Sequence, residues 1–102
     1  MSLIEERHEE LVALCRRFGV ERLALFGSGA RGDLSDSSDL DFCVVFGPLP
    51  PGQRGKAYLG LIVALEELFE RRVDLVVESA VQNPYFRQEL AETAQVVYDR
   101  AA

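Results

Sequence analysis

Along this chain the apolar residues alternate between helical spacing and short unbroken runs. Ile4, Leu11, Cys15 and Phe18 recur on one helical face, Ser2-x-x-Glu5 forms a capping-box pattern ahead of them, and Gly19 stops the series. Together they predict a first helix over residues 2–18. Arg22–Phe26 is a short apolar run and predicts a strand. Leu40–Phe46 is nearly continuous in Leu, Phe, Cys and Val, the composition of a strand buried on both faces. Tyr58, Leu61, Ile62, Leu65, Leu68 and Phe69 mark a second long helix, and Arg72–Val77 a third strand. Asn83-Pro84 starts another helix, with Pro at its first position, and Phe86, Leu90 and Ala94 continue one face. Gln95–Tyr98 fits either the tail of that helix or a short final strand.

The connections differ in character. Gly27–Ser38 is rich in Gly, Ser and Asp and has no apolar period, so it reads as a functional loop with room for one helical turn. Residues 47–55 form a flexible connection holding three of the four prolines. The order αβ(loop)βαβα predicts an α/β fold, a small mixed sheet with flanking helices, as a single domain over residues 1–102.

Composition narrows the function. With 102 residues the chain is near the short end of what builds one core. Its 48% apolar and 27% charged residues belong to a soluble globular protein. Acids outnumber bases 17 to 11, for a net charge of -6, which disfavours stable nucleic-acid binding and suits a basic partner or divalent cations. Cys15 and Cys43 have no CxxC or metal-ligand spacing and read as reduced core residues of a cytosolic protein. Apolar runs fall short of a membrane span, and Met1–Glu10 holds Glu5, Glu6, Glu9 and Glu10, unlike a signal peptide. The expected location is the cytoplasm, with no membrane association.

One stretch stands apart, GSGARGDLSDSSDLD at residues 27–41, directly after a predicted strand. Gly27, Gly29 and Gly32 fit the GxGxxG dinucleotide fingerprint, but DLSDSS cannot open the long helix it requires, and Gly47–Gly52 lacks the acid expected about 20 positions on. Gly27 and Gly32 also fit a P-loop, yet Asp33 and Leu34 stand where Lys and Ser/Thr must be. A calcium loop fails as well, because Cys43 and Val44 occupy the places of its third acid and its Gly. What remains is Gly27-Ser28, ten residues, then Asp39-Leu40-Asp41.

This pattern resembles the signature of the DNA polymerase beta superfamily of nucleotidyltransferases, and the chain is similar to its smallest branch, the minimal (MNT-type) nucleotidyltransferases, over nearly its full length. A third acid lies where the family has one, at Asp74 in RVDLVV. The resemblance implies a polymerase beta-like palm, with Asp39, Asp41 and Asp74 as catalytic and metal-binding residues and Gly27, Ser28 and Arg31 as nucleotide-binding residues.

The chemistry explains the spacing. Residues i and i+2 of a strand project to one side, with Cα atoms roughly 6.5–7 Å apart, so Asp39 and Asp41 can share a pair of Mg²⁺ ions (or Mn²⁺) that hold the attacking and leaving oxygens of an in-line displacement. Asp74 can complete the triad and accept the proton of the attacking hydroxyl. Gly27 lets the backbone approach a triphosphate, and Ser28 offers an N–H and a hydroxyl to phosphate oxygens. Arg31 can neutralise phosphate or pair structurally with Asp33 and Asp36, themselves turn and capping residues.

Alone, a DxD pair in an acidic protein is a solvated turn; bordering a hydrophobic strand, unpaired carboxylates are costly, which favours the functional reading. His8 is expected as an exposed helix residue and Tyr85–Phe86 as core rather than a base-stacking platform. The resemblance further implies ATP as substrate, an HEPN-domain ribonuclease as partner, and adenylyl transfer onto a tyrosine of that toxin, with this chain as antitoxin. Gly29 departs from many relatives, which carry a larger side chain there, and points to slow turnover. The alternative is a non-catalytic nucleotide-binding module that masks its partner by binding alone.

Overall fold

The structure, a computed structural model, describes residues 3–27 and 39–101. The first predicted helix is two: α1 (Leu3–Glu6) and α2 (His8–Arg17). Arg7, at φ -115° and ψ 20°, leaves the helical region, and its N–H bonds back to the Ile4 carbonyl at 3.2 Å, a tight turn that directs Ile4 into the core. Ser2 of the proposed capping box lies outside the described residues. Gly19, at φ +71°, adopts the left-handed conformation that ends a helix cheaply only in glycine. The chain therefore enters strand β1 (Val20–Phe26) two residues earlier than the apolar run predicts.

Strand β2 (Leu40–Phe46) has the predicted bounds. Helix α3 (Arg54–Phe69) starts four residues before Tyr58, because its first turn is polar and exposed and carries no apolar signal. Strand β3 (Val73–Val77) runs through a short 3-10 turn, Glu78–Ala80, into α4 (Pro84–Thr93). The Asn83 side chain accepts from the N–H groups of Tyr85 and Phe86, at 2.9 and 3.2 Å, and Pro84 takes the first position. Gln95–Asp99 resolves the open choice at the end of the chain: it is a strand, β4.

The described strands form one mixed sheet in the order β3-β2-β1-β4, with β2 and β3 parallel and the other pairs antiparallel. Leu23 and Leu25 of β1 and Leu40, Phe42 and Val44 of β2 line one face. Against it pack Leu11 and Cys15 of α2 and Leu61, Leu65 and Phe69 of α3. Phe42, fully buried, stacks on Phe69 with ring centroids 6.2 Å apart; burial of such a ring contributes roughly 1.5–3 kcal/mol. The opposite face has a smaller apolar cover, where Leu90 of α4 and Val81 meet Cys43. Both cysteines are buried and free, as expected. Among the described residues no helix is long and apolar enough to cross a membrane.

Candidate active site

Alternation along the strands sorts the second face into rows. Asp41 pairs with Phe26 of β1 on one side and with Asp74 of β3 on the other, so Phe26, Asp41 and Asp74 stand side by side across three strands. The next row is Ala24, Cys43 and Val76, and the row beyond begins with Arg22 opposite Val45. Residues two apart on a strand share a face, so acidic, apolar and basic rows succeed one another on a single surface. Asp39 lies just ahead of β2 on the side of the acidic row.

Two hydrogen bonds fix the strand that carries Asp74. The Tyr58 hydroxyl donates to the Leu75 carbonyl at 2.7 Å, and the Val73 N–H donates to Glu66 Oε2 at 3.0 Å. Both acceptor and donor come from α3, so the edge strand is tied to that helix immediately before and after Asp74. Gly27 closes the acidic row from the β1 side. It has φ +68°, and a Cβ there would lie 2.5 Å from Asp41 Oδ2. The Asp41 carboxylate therefore rests directly against the glycine backbone, an approach that any side chain would block.

Of the sequence-predicted site residues, Gly27, Asp39, Asp41 and Asp74 fall within the described residues; Ser28 and Arg31, with Gly29, Asp33 and Asp36, lie outside them. Asp39 and Asp74 are exposed and Asp41 is half-buried. This narrows one premise: Asp39 and Asp74 are exposed, so of these carboxylates burial cost bears on half-buried Asp41 alone. Among the described residues no three acidic, histidine or cysteine side chains gather closely enough to hold a metal. Magnesium seldom uses such a cage; it keeps several waters and takes one or two carboxylates beside substrate phosphates. Solvent-facing Asp39 with the neighbouring Asp41 is a donor set that fits this habit.

Other expectations divide. His8 is exposed on α2 as anticipated. Tyr85 is 83% exposed, so it is not core, whereas Phe86 packs edge-on against Phe26 with centroids 5.7 Å apart. Residues one apart on a helix face different directions, and only Phe86 points toward the sheet. Beyond the acidic row the structure adds groups that no local motif signals. Arg22 Nη2 donates to Glu78 Oε2 at 2.7 Å across 56 positions, and this bond holds the Arg22 guanidinium more firmly in its charged form. Beside it the Cys43 thiol is pushed up to about 11 by burial, with a smaller contribution from the Glu78 carboxylate.

The nucleotidyltransferase-domain family model matches residues 9–97. The protein adenylyltransferase MntA of Thermococcus cleftensis is 34% identical over 100 residues, covering 94% of this chain and 98% of that protein. A solved structure of a minimal nucleotidyltransferase is 36% identical and superposes with a TM-score of 0.74, covering 92% of this chain and 94% of the other. A complex of tri-AMPylated Shewanella oneidensis HEPN toxin with MNT antitoxin matches with a TM-score of 0.65 at 17% identity, covering 95% of this chain and 73% of that one, a likeness of fold. The mixed sheet with its helices is consistent with the polymerase beta-like palm.

Proposed function

This chain belongs to the nucleotidyltransferase-domain family, and from that premise we propose that it transfers AMP from ATP to a hydroxyl side chain of an HEPN-domain protein, neutralising that partner as its antitoxin in the cytoplasm. The name of the Thermococcus cleftensis relative, a protein adenylyltransferase, supports the reaction, and the AMPylated HEPN toxin in the Shewanella oneidensis complex supports the partner. The observation that carries the reading is the register of Asp41 with Asp74, with Asp39 two residues upstream and Gly27 behind Asp41.

In this reaction the acceptor oxygen bonds to the α-phosphorus of ATP, the bond from that phosphorus to the bridging oxygen breaks, and pyrophosphate leaves with the electron pair. Asp74, exposed at the sheet edge, takes the proton of the incoming hydroxyl. Asp39 and Asp41 would hold Mg²⁺, or Mn²⁺ in its place; when bound, such ions offset the charge that develops on the attacking and leaving oxygens. Gly27 gives the triphosphate close access to the backbone, and Ser28 and Arg31 bind its β- and γ-phosphate oxygens.

The test is incubation of the purified chain with labelled ATP, Mg²⁺ and a candidate HEPN-domain partner protein. Label should appear on the partner, and mass spectrometry should find AMP on a hydroxyl side chain. Asp41→Ala should abolish transfer, and Asp74→Ala should still bind ATP but transfer nothing. If the partner stays unmodified under these conditions, the reading is wrong.

A further inference from the structure

The second face of the sheet holds more than the acidic row. Beside α4 a groove of about 540 Å³ has a floor of Ala24, Cys43, Leu90 and Val96. It adjoins a second hollow of about 320 Å³ at the end of the sheet, lined by Val45 of this face and by Phe46 and Val77, which pack toward the other, and Arg22, Glu78 and Arg87 border both. Arg54, the first residue of α3, reaches the far end. The second hollow is therefore lined by three guanidiniums and one carboxylate, and that carboxylate is already paired with Arg22. Arg87 donates one N–H to the Val81 carbonyl at 3.0 Å, and neither Arg87 nor Arg54 forms an ion pair among the described residues.

A local excess of positive charge in a chain of net charge -6 is a specific feature, because the rest of the molecule repels the anions it would attract. Its position is specific too. Val45 is four residues from Asp41 on β2, roughly 13 Å at the strand rise, so a chain segment held at the arginines can reach the acidic row with a handful of extended residues.

We infer that this groove docks the acceptor protein: an acidic segment pairs with Arg54 and Arg87 while an adjacent apolar side chain fills the Ala24–Cys43–Val96 floor. The inference rests on the protein-acceptor reading above and adds what is recognised. Planar guanidiniums favour carboxylates in two-point contact, and exposed Val96 gives the apolar neighbour a surface to cover. A polynucleotide is the poorer occupant, since its many phosphates meet the acidic remainder of the chain. Phe26, packed edge-on against Phe86, flanks Asp41 within the acidic row, and that row lies directly next to the Ala24–Cys43 floor, so the docked segment holds the acceptor hydroxyl one row beyond the groove, over Asp41 and Asp74.

The test measures three quantities for the wild type, Arg54→Glu and Arg54→Glu/Arg87→Gln: affinity for the candidate HEPN-domain partner, affinity for ATP with Mg²⁺, and steady-state AMP transfer. Glutamate at the start of α3 suits the helix dipole, so Arg54→Glu should fold normally. The expected result is a partner Kd and a transfer KM raised about tenfold or more, as for charge pairs at interfaces, with ATP affinity unchanged. Replacing an acidic residue of the partner by Lys should restore binding to Arg54→Glu and to no other variant. Unchanged partner affinity, or an equal loss of ATP affinity, would overturn the inference, as would a wild-type dimer that the substitutions dissociate or a loss of RNA binding in their place. If the wild type neither binds nor modifies the HEPN protein, it is the proposed function that fails, and the docking role falls with it.

Discussion

At the scale of single residues, Gly27 carries the sharpest constraint. Alanine there must adopt φ +68° and place its Cβ 2.5 Å from Asp41 Oδ2. The left-handed backbone alone costs about 1–2 kcal/mol, and relief of the clash requires Asp41 to move. Gly27→Ala should therefore lower the melting temperature by several degrees in calorimetry and reduce AMP transfer by more than the loss of folded protein explains. Ser28→Ala should do less harm than Asp39→Ala or Asp41→Ala, because its N–H remains and one neutral hydrogen bond is worth about 0.5–1.5 kcal/mol; initial rates of the three variants decide it. Cys15 supplies a pH signature. Burial pushes its thiol up from 9.0 to about 12, so the native state favours the neutral form. That contribution is complete below pH 9 and is lost as pH rises toward 12, because the unfolded chain ionises first. Urea midpoints should fall between pH 8 and pH 10.5, and Cys15→Val should flatten the trend.

The elements show why some of the molecule is legible in its sequence. Leu40–Phe46 is apolar at almost every position because α3 covers one face and α4 part of the other, and its bounds follow from composition alone. Asn83-Pro84 carries its own start signal and the helix begins there. Boundaries without such chemistry are not legible: the first turn of α3 is polar and exposed and carries no apolar signal, and the break at Arg7 falls at an exposed residue inside an otherwise helical pattern. The same holds for the face of the sheet. Asp39, Asp41 and Asp74 are visible as a motif, but the side-by-side placement of Asp41 and Asp74 arises from a parallel register, and Arg22 meets Glu78 only through the fold. Tyr58 illustrates how an element far from the motif shapes it. Its hydroxyl holds the Leu75 carbonyl of β3, a strand at the edge of the described sheet. Tyr58→Phe should cost about 0.5–1.5 kcal/mol in urea unfolding. If that bond positions Asp74, kcat for transfer should fall while ATP affinity stays put; a fall in stability with unchanged kcat would limit Tyr58 to a structural role.

For the whole molecule the distribution of charge bears on the proposed protein acceptor. A net charge of -6 repels polyanions at long range, and exposed Asp39 and Asp74 add to the negative field at the acidic row. Against that field the arginines beside β2 form a confined basic patch. A folded protein with both basic and acidic surface can satisfy the two regions together, whereas RNA satisfies only the patch. AMP transfer from ATP should therefore label the HEPN partner and leave RNA and small amino or hydroxyl acceptors scarcely labelled at equal concentration. Both sets of contacts are solvent-exposed and weaken as the screening length shrinks to about 8 Å at physiological ionic strength and further above it. The kcat/KM for the partner should consequently fall as NaCl is raised, with kcat nearly constant, since salt slows the encounter and leaves the chemistry of the bound complex alone. A filter assay that separates protein-bound from RNA-bound label, repeated across a salt series, measures both. RNA labelled as efficiently as protein, or a partner reaction indifferent to salt, would show that the charge of this molecule does not choose its acceptor.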